Sequence, residues 1–316
     1  MSQNKEHKTK VLIIGSGPAG YSAAVYASRA MLNPVMVTGM EQGGQLTTTT
    51  DVENYPGFAK AIQGPWLMEE MKKQAENVGT RFITDIINRV DFSKRPFVCE
   101  GENGNIFVSD TVIISTGAQA RWLGVENEEK FKGFGVSSCA TCDGFFFKNQ
   151  EVAVVGGGNA AVEEAIYLSG IASKVYLIHR RDKLRAEKML QEKILKNNKI
   201  EIIWDTIVEK INGTDNPKNL ESVSLKNIKN NKIKELNVNG FFVAIGHIPA
   251  TNIFKNQIKM DNEGYIITNP DSTATNVDGV FAAGDVKDKI FRQAVTAAGM
   301  GCMSAVEAEK FISESN

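Results

Sequence analysis

Short runs of β-branched residues, each stopped by a glycine cluster and followed by an alanine-rich stretch, recur along this chain. The first, Lys10 to Ile14, ends in Gly15-Ser16-Gly17-Pro18-Ala19-Gly20; Tyr21 to Met31 then has the spacing of a helix, and Pro34 to Thr38 reads as a second strand. This is a β-α-β unit. A second one opens with Glu151 to Val155, turns through Gly156-Gly157-Gly158-Asn159-Ala160-Ala161, continues as a helix from about Val162 to Ser169 and returns as Val175 to Ile178. Asp110 to Ala118 looks like a strand running into a glycine turn, and Gly240 to His247 repeats that layout, so these two segments are the expected crossings between domains. Late in the chain, Val280 to Asp285 reads as a strand that stops at Gly284-Asp285, and Gln293 to Lys310 as a helix. This last pair is too small for a third domain and is expected to complete the first sheet. Between Asn212 and Asn239, alternating apolar positions at Val223, Leu225 and Ile228 predict a solvated β-meander.

Composition narrows the picture. A chain of 316 residues has room for about two domains at roughly 100–200 residues each. Lys plus Arg number 36 against 37 Asp plus Glu, which leaves no broad attraction for nucleic acid or anionic lipid, so any basic site must be local. Hydrophobic residues at 42% and charged residues at 23% exclude a disordered or fibrous chain. The N-terminal segment is polar and reaches only Val11 to Ile14 before the glycine loop, so no secretory signal is expected, and no stretch approaches the roughly 18 apolar residues of a membrane helix. Four cysteines do not make a disulfide framework. The expected compartment is the reducing cytoplasm, where a cysteine pair is better read as catalytic than as structural.

The first loop makes physical sense as a dinucleotide site. Gly15 permits the tight turn, Gly17 lets a pyrophosphate approach the backbone, Gly20 allows close helix packing, and the phosphates would sit at the helix N-terminus near Pro18. The acidic residue that usually ends the second strand is missing; Thr38 and Gly39 stand there, with Glu41 just beyond. The second loop, Gly156-x-Gly158-x-x-Ala161, fits the same fingerprint, but its second strand is followed by His179-Arg180-Arg181 and then Arg185. A guanidinium fork matches phosphate oxygens and stays charged, so this cluster suits a 2'-phosphate and argues for NADPH over NADH.

Cys139-Ala140-Thr141-Cys142 precedes the second unit and is followed by Asp143. A zinc site would need two more ligands, yet Cys99 and Cys302 are isolated and the histidines are only His7, His179 and His247. A redox dithiol is the better reading, with the adjacent carboxylate moving protons as the disulfide opens and closes. Gly284-Asp285 at a strand end suits a ribityl or ribose hydroxyl, or equally a turn with an N-cap Asp. The Thr47 to Thr50 run reads as a solvated strand edge, while Gly43-Gly44-Gln45 before it would allow backbone contact with a cofactor.

Taken together, the chain resembles the bacterial low-molecular-weight thioredoxin reductases. The resemblance spans essentially the whole sequence. It is carried by Gly15 to Gly20, Thr38-Gly39-Met40-Glu41, Gly43-Gly44-Gln45-Leu46, Glu53-Asn54-Tyr55-Pro56-Gly57, Thr116-Gly117-Ala118, Cys139 to Gly144, His179-Arg180-Arg181-Asp182, Gly284-Asp285 and Arg292-Gln293-Ala294. Tyr55 and Phe147 are aromatic swaps, and Ala160 and Ala250 stand where polar neighbours are more usual. The resemblance implies an α/β fold of the pyridine nucleotide-disulfide oxidoreductase type, with two Rossmann-like domains. An FAD-binding domain would take residues 1–117 and 248–316, and an NADPH-binding domain with the dithiol, 118–247, would be inserted in it.

By the same resemblance, FAD would lie on Gly15, Ser16, Gly17, Pro18, Ala19 and Gly20, on the segment Thr38, Gly39, Met40, Glu41, Gln42, Gly43, Gly44 and Gln45, and on Asn54. Thr116, Gly117, Ala118, Gly284, Asp285, Arg292, Gln293 and Ala294 would complete its site. NADPH would lie on Gly156, Gly157, Gly158, Asn159, Ala160, Ala161, His179, Arg180, Arg181 and Arg185. Electrons would pass from NADPH through FAD to the Cys139/Cys142 disulfide and on to thioredoxin. Cys142 would face the flavin, Cys139 would attack the partner, and Asp143 would be the acid-base residue. A rotation of the inserted domain about hinges near Gly117-Ala118 and Gly246-His247 would separate the two half-reactions. The resemblance also implies a homodimer, with no metal. The alternative is an NADPH-dependent flavoprotein reductase serving another thioredoxin-like or peroxiredoxin-system partner.

Overall fold

The computed structural model describes residues 5–48 and 51–315. Thr49 and Thr50, the end of the threonine run, lie outside the described residues. The chain packs as two compact units: one takes the chain up to Gln119 and again from Ile248, the other is Ala120–His247.

The first unit is built on a seven-stranded sheet. Its parallel part runs Arg81–Ile83, Val35–Val37, Lys5–Ile14, Asn105–Ile114, and Val280–Ala282 also pairs in parallel with Asn105–Ile114. The long strand forks: Ser109 back to Ile106 pairs antiparallel with Phe97–Glu100, while Val112 to Ile114 pairs with Val280 to Ala282. The late strand therefore does complete the first sheet.

Alternation along the strands separates two cores. Leu12, Ile14, Val35, Val37, Val112 and Ile114 face one side with Phe97, Phe107 and Phe254; Val11, Ile13, Met36 and Ile113 face the other, against Ala23, Ala24 and Ala27 of the helix Pro18–Arg29 and Ala305 and Ala308 of the helix Ala294–Ser315. Small residues let these two helices touch: a Cβ on Gly301 would stand 2.0 Å from the Ala19 carbonyl oxygen. The first strand begins earlier than its apolar run because the polar stretch Lys5–Thr9 pairs residue for residue with Asn105–Ser109.

The second unit carries a five-stranded parallel sheet in the order Val136–Ser137, Gly240–Ala244, Glu151–Gly156, Lys174–Ile178, Ile200–Ile203. Val152, Val154, Val175 and Leu177 pack against Ala161, Val162, Ala165 and Leu168 of the helix Asn159–Ser169. On the opposite face lies the antiparallel meander Thr206–Asp215, Lys218–Asn227, Ile233–Asn237. The sequence reading of this meander as solvated is corrected here. Ile211, Leu220, Val223, Leu225 and Leu236 are buried against Ala153, Val155, Phe241 and Val243, so one face is core and the other is wet. Ile228, grouped with them on spacing, falls in the turn after the strand and is 48% exposed. Likewise, the stretch Gly44–Thr48 is a short 3-10 helix, so Thr47 is not on a strand edge.

The helix Gly64–Asn77 has no counterpart in the sequence reading, nor has the hairpin Ile87–Asp91 with Phe97–Gly101. Among the described residues, no helix is long and apolar enough to cross a membrane.

Candidate active site

In the first unit, the strand Lys5–Ile14 delivers the chain into a turn that only glycine can make. Gly15 has φ +106°, and a Cβ there would stand 2.4 Å from the Ser115 carbonyl oxygen; its N–H donates to Val37 O at 2.9 Å. A Cβ on Gly20 would lie 2.0 Å from Gly15 O, which is the close packing that the third glycine allows. Gly17 is different: a Cβ would meet nothing within 4 Å, and it caps the helix Pro18–Arg29 with no side-chain hydrogen bond. The helix thus begins with no side-chain cap on its first-turn N–H groups, at the positive end of its dipole.

The segment 38–45 is fastened to this loop. The buried Ser16 hydroxyl donates to Thr38 O at 2.7 Å and accepts from Gly43 N–H at 3.1 Å. Gly39 N–H donates to Asp85 O, Gln42 reaches Thr84, and the Gln45 amide donates to Ala118 O. Gly44 comes next to Gly17, its would-be Cβ 3.5 Å from the Gly17 Cα. Met40 and Glu41 are left exposed at the rim. The Asn54 amide donates to Gln293, and the Thr116 hydroxyl donates to Ala250 O at 2.8 Å beside Gly117.

Behind the loop, Gly284, with φ +78°, brings its backbone to Ala19 and starts the turn that holds Asp285. Burial pushes the Asp285 carboxyl up to about 7, the neighbouring Asp288 adds to this, and Arg292 opposes it. Asp285 accepts no hydrogen bond among the described residues. Asp288 is what sequence reading missed: it is buried and accepts the N–H groups of Ile290, Phe291 and Arg292, fixing the turn into the helix at Ala294. Its signal is the acidic side chain just before three successive orphan donors. Uncapped amides, an open cradle at Gly17 and Gly44, and a carboxyl awaiting a donor fit a dinucleotide with a hydroxylated chain.

The second unit repeats the glycine logic. Gly156 has φ +156°, and a Cβ would stand 2.4 Å from Ala244 O and 2.5 Å from the Ala161 Cβ. Gly158 caps the helix Asn159–Ser169 with no side-chain bond and with open space above it. Asn159 is fixed by mutual hydrogen bonds with Glu187, Ala160 is half-buried and Ala161 is buried. Arg180, Arg181 and Arg185 are exposed, and none of the three is in an ion pair among the described residues. Arg185 N–H donates to Gly157 O at 2.7 Å, which brings the arginine loop to the glycine loop. Free guanidinium groups beside an uncapped helix N-terminus fit a phosphorylated nucleotide. His179 is placed otherwise than its neighbours in the motif: it is buried, with both ring nitrogens against backbone carbonyls.

Also in the second unit, Cys139 and Cys142 form a disulfide, Cα to Cα 5.3 Å, across the start of the short helix Ala140–Asp143. Cys139 O accepts from Cys142 N–H and Asp143 N–H, and Cys139 N–H donates to the Ser137 hydroxyl at 3.0 Å. Thr141 lies 3.4 Å from the Cys139 sulfur. Burial raises the Asp143 carboxyl above the ordinary range, and a hydrogen bond from Ser137 opposes the rise. A carboxyl shifted in that direction is better suited than an ordinary one to exchange a proton with a thiolate. Phe147 packs edge-on against Phe242, whereas Phe145 and Phe146, three and four residues after Cys142, are 59% and 42% exposed. Cys99 is buried and inert, its thiol pushed up to about 12 by desolvation, and Cys302 stands apart from the pair. Among the described residues, no three His, Cys, Asp or Glu side chains gather as a metal site.

Comparison with known proteins agrees with this geometry. The family of pyridine nucleotide-disulphide oxidoreductases matches residues 9–301. A thioredoxin reductase of Rickettsia conorii is 60% identical over 306 residues, covering 97% of this chain and 99% of its own. One from Escherichia coli O157:H7 is 53% identical, covering 96% of each. The solved thioredoxin reductase of Giardia duodenalis superposes with a TM-score of 0.93 at 43% identity, over 97% of this chain and 99% of its own. With two uncapped glycine loops and a closed vicinal dithiol, the chain belongs to the pyridine nucleotide-disulphide oxidoreductase family and is an oxidoreductase that couples a pyridine nucleotide to a disulfide.

Proposed function

We propose that the chain is an NADPH-dependent thioredoxin-disulfide reductase, with FAD on the first unit and NADPH on the second. The single observation that carries this reading is the Cys139–Cys142 disulfide beside Asp143, in the same unit as an arginine-flanked nucleotide loop. The near relatives' shared name supports the choice of partner. When bound, the two cofactors supply a hydride from the nicotinamide and relay its two electrons through the isoalloxazine.

On this reading the first unit holds FAD by the amides at Gly17 to Gly20, the segment 38–45 and Asp285, while the second holds NADPH through Gly156 to Ala161 and the three arginines. Two electrons and two protons open the Cys139–Cys142 bond to a dithiol. Asp143 moves one proton at the Cys142 sulfur, Cys142 being the thiol toward the flavin. The Cys139 thiolate attacks the partner's disulfide, forming a mixed disulfide and releasing one partner thiol. Cys142 then attacks the Cys139 sulfur, which releases the second thiol and restores the original bond.

Phe145 and Phe146 support a macromolecular partner, because exposed aromatic side chains three and four residues after Cys142 offer apolar surface for one. Rotation of the second unit between half-reactions is supported by the two crossings, where Gly117 at φ +70° and Gly246 at φ +105° supply the backbone freedom that a hinge uses. A homodimer is part of the same reading; Tyr26, Met303 and Val306 leave apolar surface on the helices at 18–29 and 294–315. NADPH oxidation by the flavin-loaded protein, followed with oxidised thioredoxin as acceptor, tests the proposal. Sustained turnover is expected, and bleaching of the flavin with no turnover would refute thioredoxin as the substrate.

A further inference from the structure

We propose that His179 is a positioning residue: its buried ring ties the glycine loop to the arginine loop and so sets the spacing between the pyrophosphate and 2'-phosphate subsites. The inference rests on the NADPH reading above and deepens it. His179 is only 4% exposed. Its Nδ1 lies 2.8 Å from Gly156 O, at the end of the strand that feeds the glycine loop, and its Nε2 lies 2.9 Å from Lys183 O, in the middle of the arginine loop. Both partners are carbonyls, which only accept, so the ring donates to whichever one its proton faces and to both when it carries two.

The surrounding backbone is shaped to admit the ring. A Cβ on Gly157 would meet the imidazole at 2.1 Å, so the second position of the triple glycine is small to make room for it, and Trp204 closes the other side edge-on at 6.1 Å between centroids. The backbone of His179 is itself pinned on both sides, its N–H donating to Ile203 O at 2.9 Å and its carbonyl accepting from Thr206 N–H at 3.0 Å. The arginine side chains are exposed, and the other bonds to their segment, from Asp205 N–H to Arg181 O and from the Gln191 amide to Leu184 O and Ala186 O, do not reach the glycines; Arg185 N–H, bonded to Gly157 O, joins the loop to them a second time. Without the ring, the loop at 180–185 keeps one direct tether to the phosphate loop in place of two, and the arginines lose their fixed distance from the helix N-terminus.

Calorimetric titration of the flavin-loaded protein with 2',5'-ADP and with 5'-ADP separates the two subsites. The wild type should prefer 2',5'-ADP. In His179→Phe, which keeps a ring over Gly157 but has no donor for either carbonyl, that preference should fall at least tenfold, while 5'-ADP affinity changes less than threefold. His179→Gln, which keeps a donor for one carbonyl, should lose at least threefold of the preference, and it carries the test if the Phe variant does not fold. Wild-type preference in both variants, or equal losses for both nucleotides, would overturn the positioning role. A wild type with no preference for 2',5'-ADP would refute the NADPH reading itself, and the positioning role with it.

Discussion

Replacing Arg180 and Arg181 together by Gln should turn an NADPH enzyme into one nearly indifferent to the 2'-phosphate. Both side chains are exposed and neither holds an ion pair among the described residues, so their removal leaves no orphaned carboxylate, and the fold should change by no more than about 0.5 kcal/mol. The loop itself stays in place through His179 and Arg185 N–H. What is lost is the charge-assisted contact of two guanidinium groups with phosphate. Hydrogen bonds to charged groups contribute about 1.5–3 kcal/mol each, and exposure places these at the lower end. Two of them at about 1.5 kcal/mol make roughly 3 kcal/mol, or about a hundredfold in kcat/KM at 1.4 kcal/mol per factor of ten. Initial rates with NADPH and NADH, at saturating disulfide acceptor, read the effect directly. NADPH should lose about a hundredfold and NADH less than threefold. Equal losses for the two nucleotides, or a loss below threefold for NADPH, would refute the phosphate role.

Other outcomes follow from the same geometry. Cys139→Ser should retain bound flavin that NADPH bleaches, yet lose turnover with a protein disulfide by at least three orders of magnitude; rapid-scan absorbance separates the two steps. Gly15→Ala would place a methyl 2.4 Å from Ser115 O at a φ of +106°, a backbone cost of about 1–3 kcal/mol, and should yield protein depleted in flavin by absorbance ratio. The flavin-free protein should show a pH dependence set by Asp285. Its folded carboxyl sits near 7 against an ordinary 3.8, so folding favours the protonated form, and the stability this contributes is present below about 3.8 and is lost as pH rises through about 7. Thermal melts of Asp285→Asn should therefore gain on the wild type between pH 4 and 8, and a constant difference across that range would contradict the assignment.

Much of this was legible in the chain because its signals are local. The glycine loops declare themselves since Gly15, Gly20 and Gly156 meet backbone oxygen that no side chain could accommodate, and such constraints recur at fixed spacing. The dithiol is legible for the same reason, its closure needing only residues three apart. The long-range features were not. The polar run Lys5–Thr9 is a strand only because Asn105–Ser109 lies alongside, and the meander has a buried face only because the parallel sheet covers it. Ser16 binds Thr38 O and Gly43 N–H, backbone groups that tertiary folding brings to it and no spacing announces, whereas the bonds of Asp288 are local, to the N–H groups two to four residues on. His179 was visible as part of a basic motif, but that its ring turns inward depends on Gly156 and Lys183, contributed by two different loops.

The most direct test is anaerobic NADPH oxidation by the flavin-loaded protein with oxidised thioredoxin in excess, followed at 340 nm, beside the Cys139→Ser variant. The expected result is many NADPH oxidised per flavin, one partner disulfide reduced per NADPH, and no turnover in the variant. Oxidation of a single NADPH per flavin by the wild type, or turnover undiminished without the Cys139 sulfur, would contradict electron passage through the Cys139–Cys142 disulfide to a protein partner.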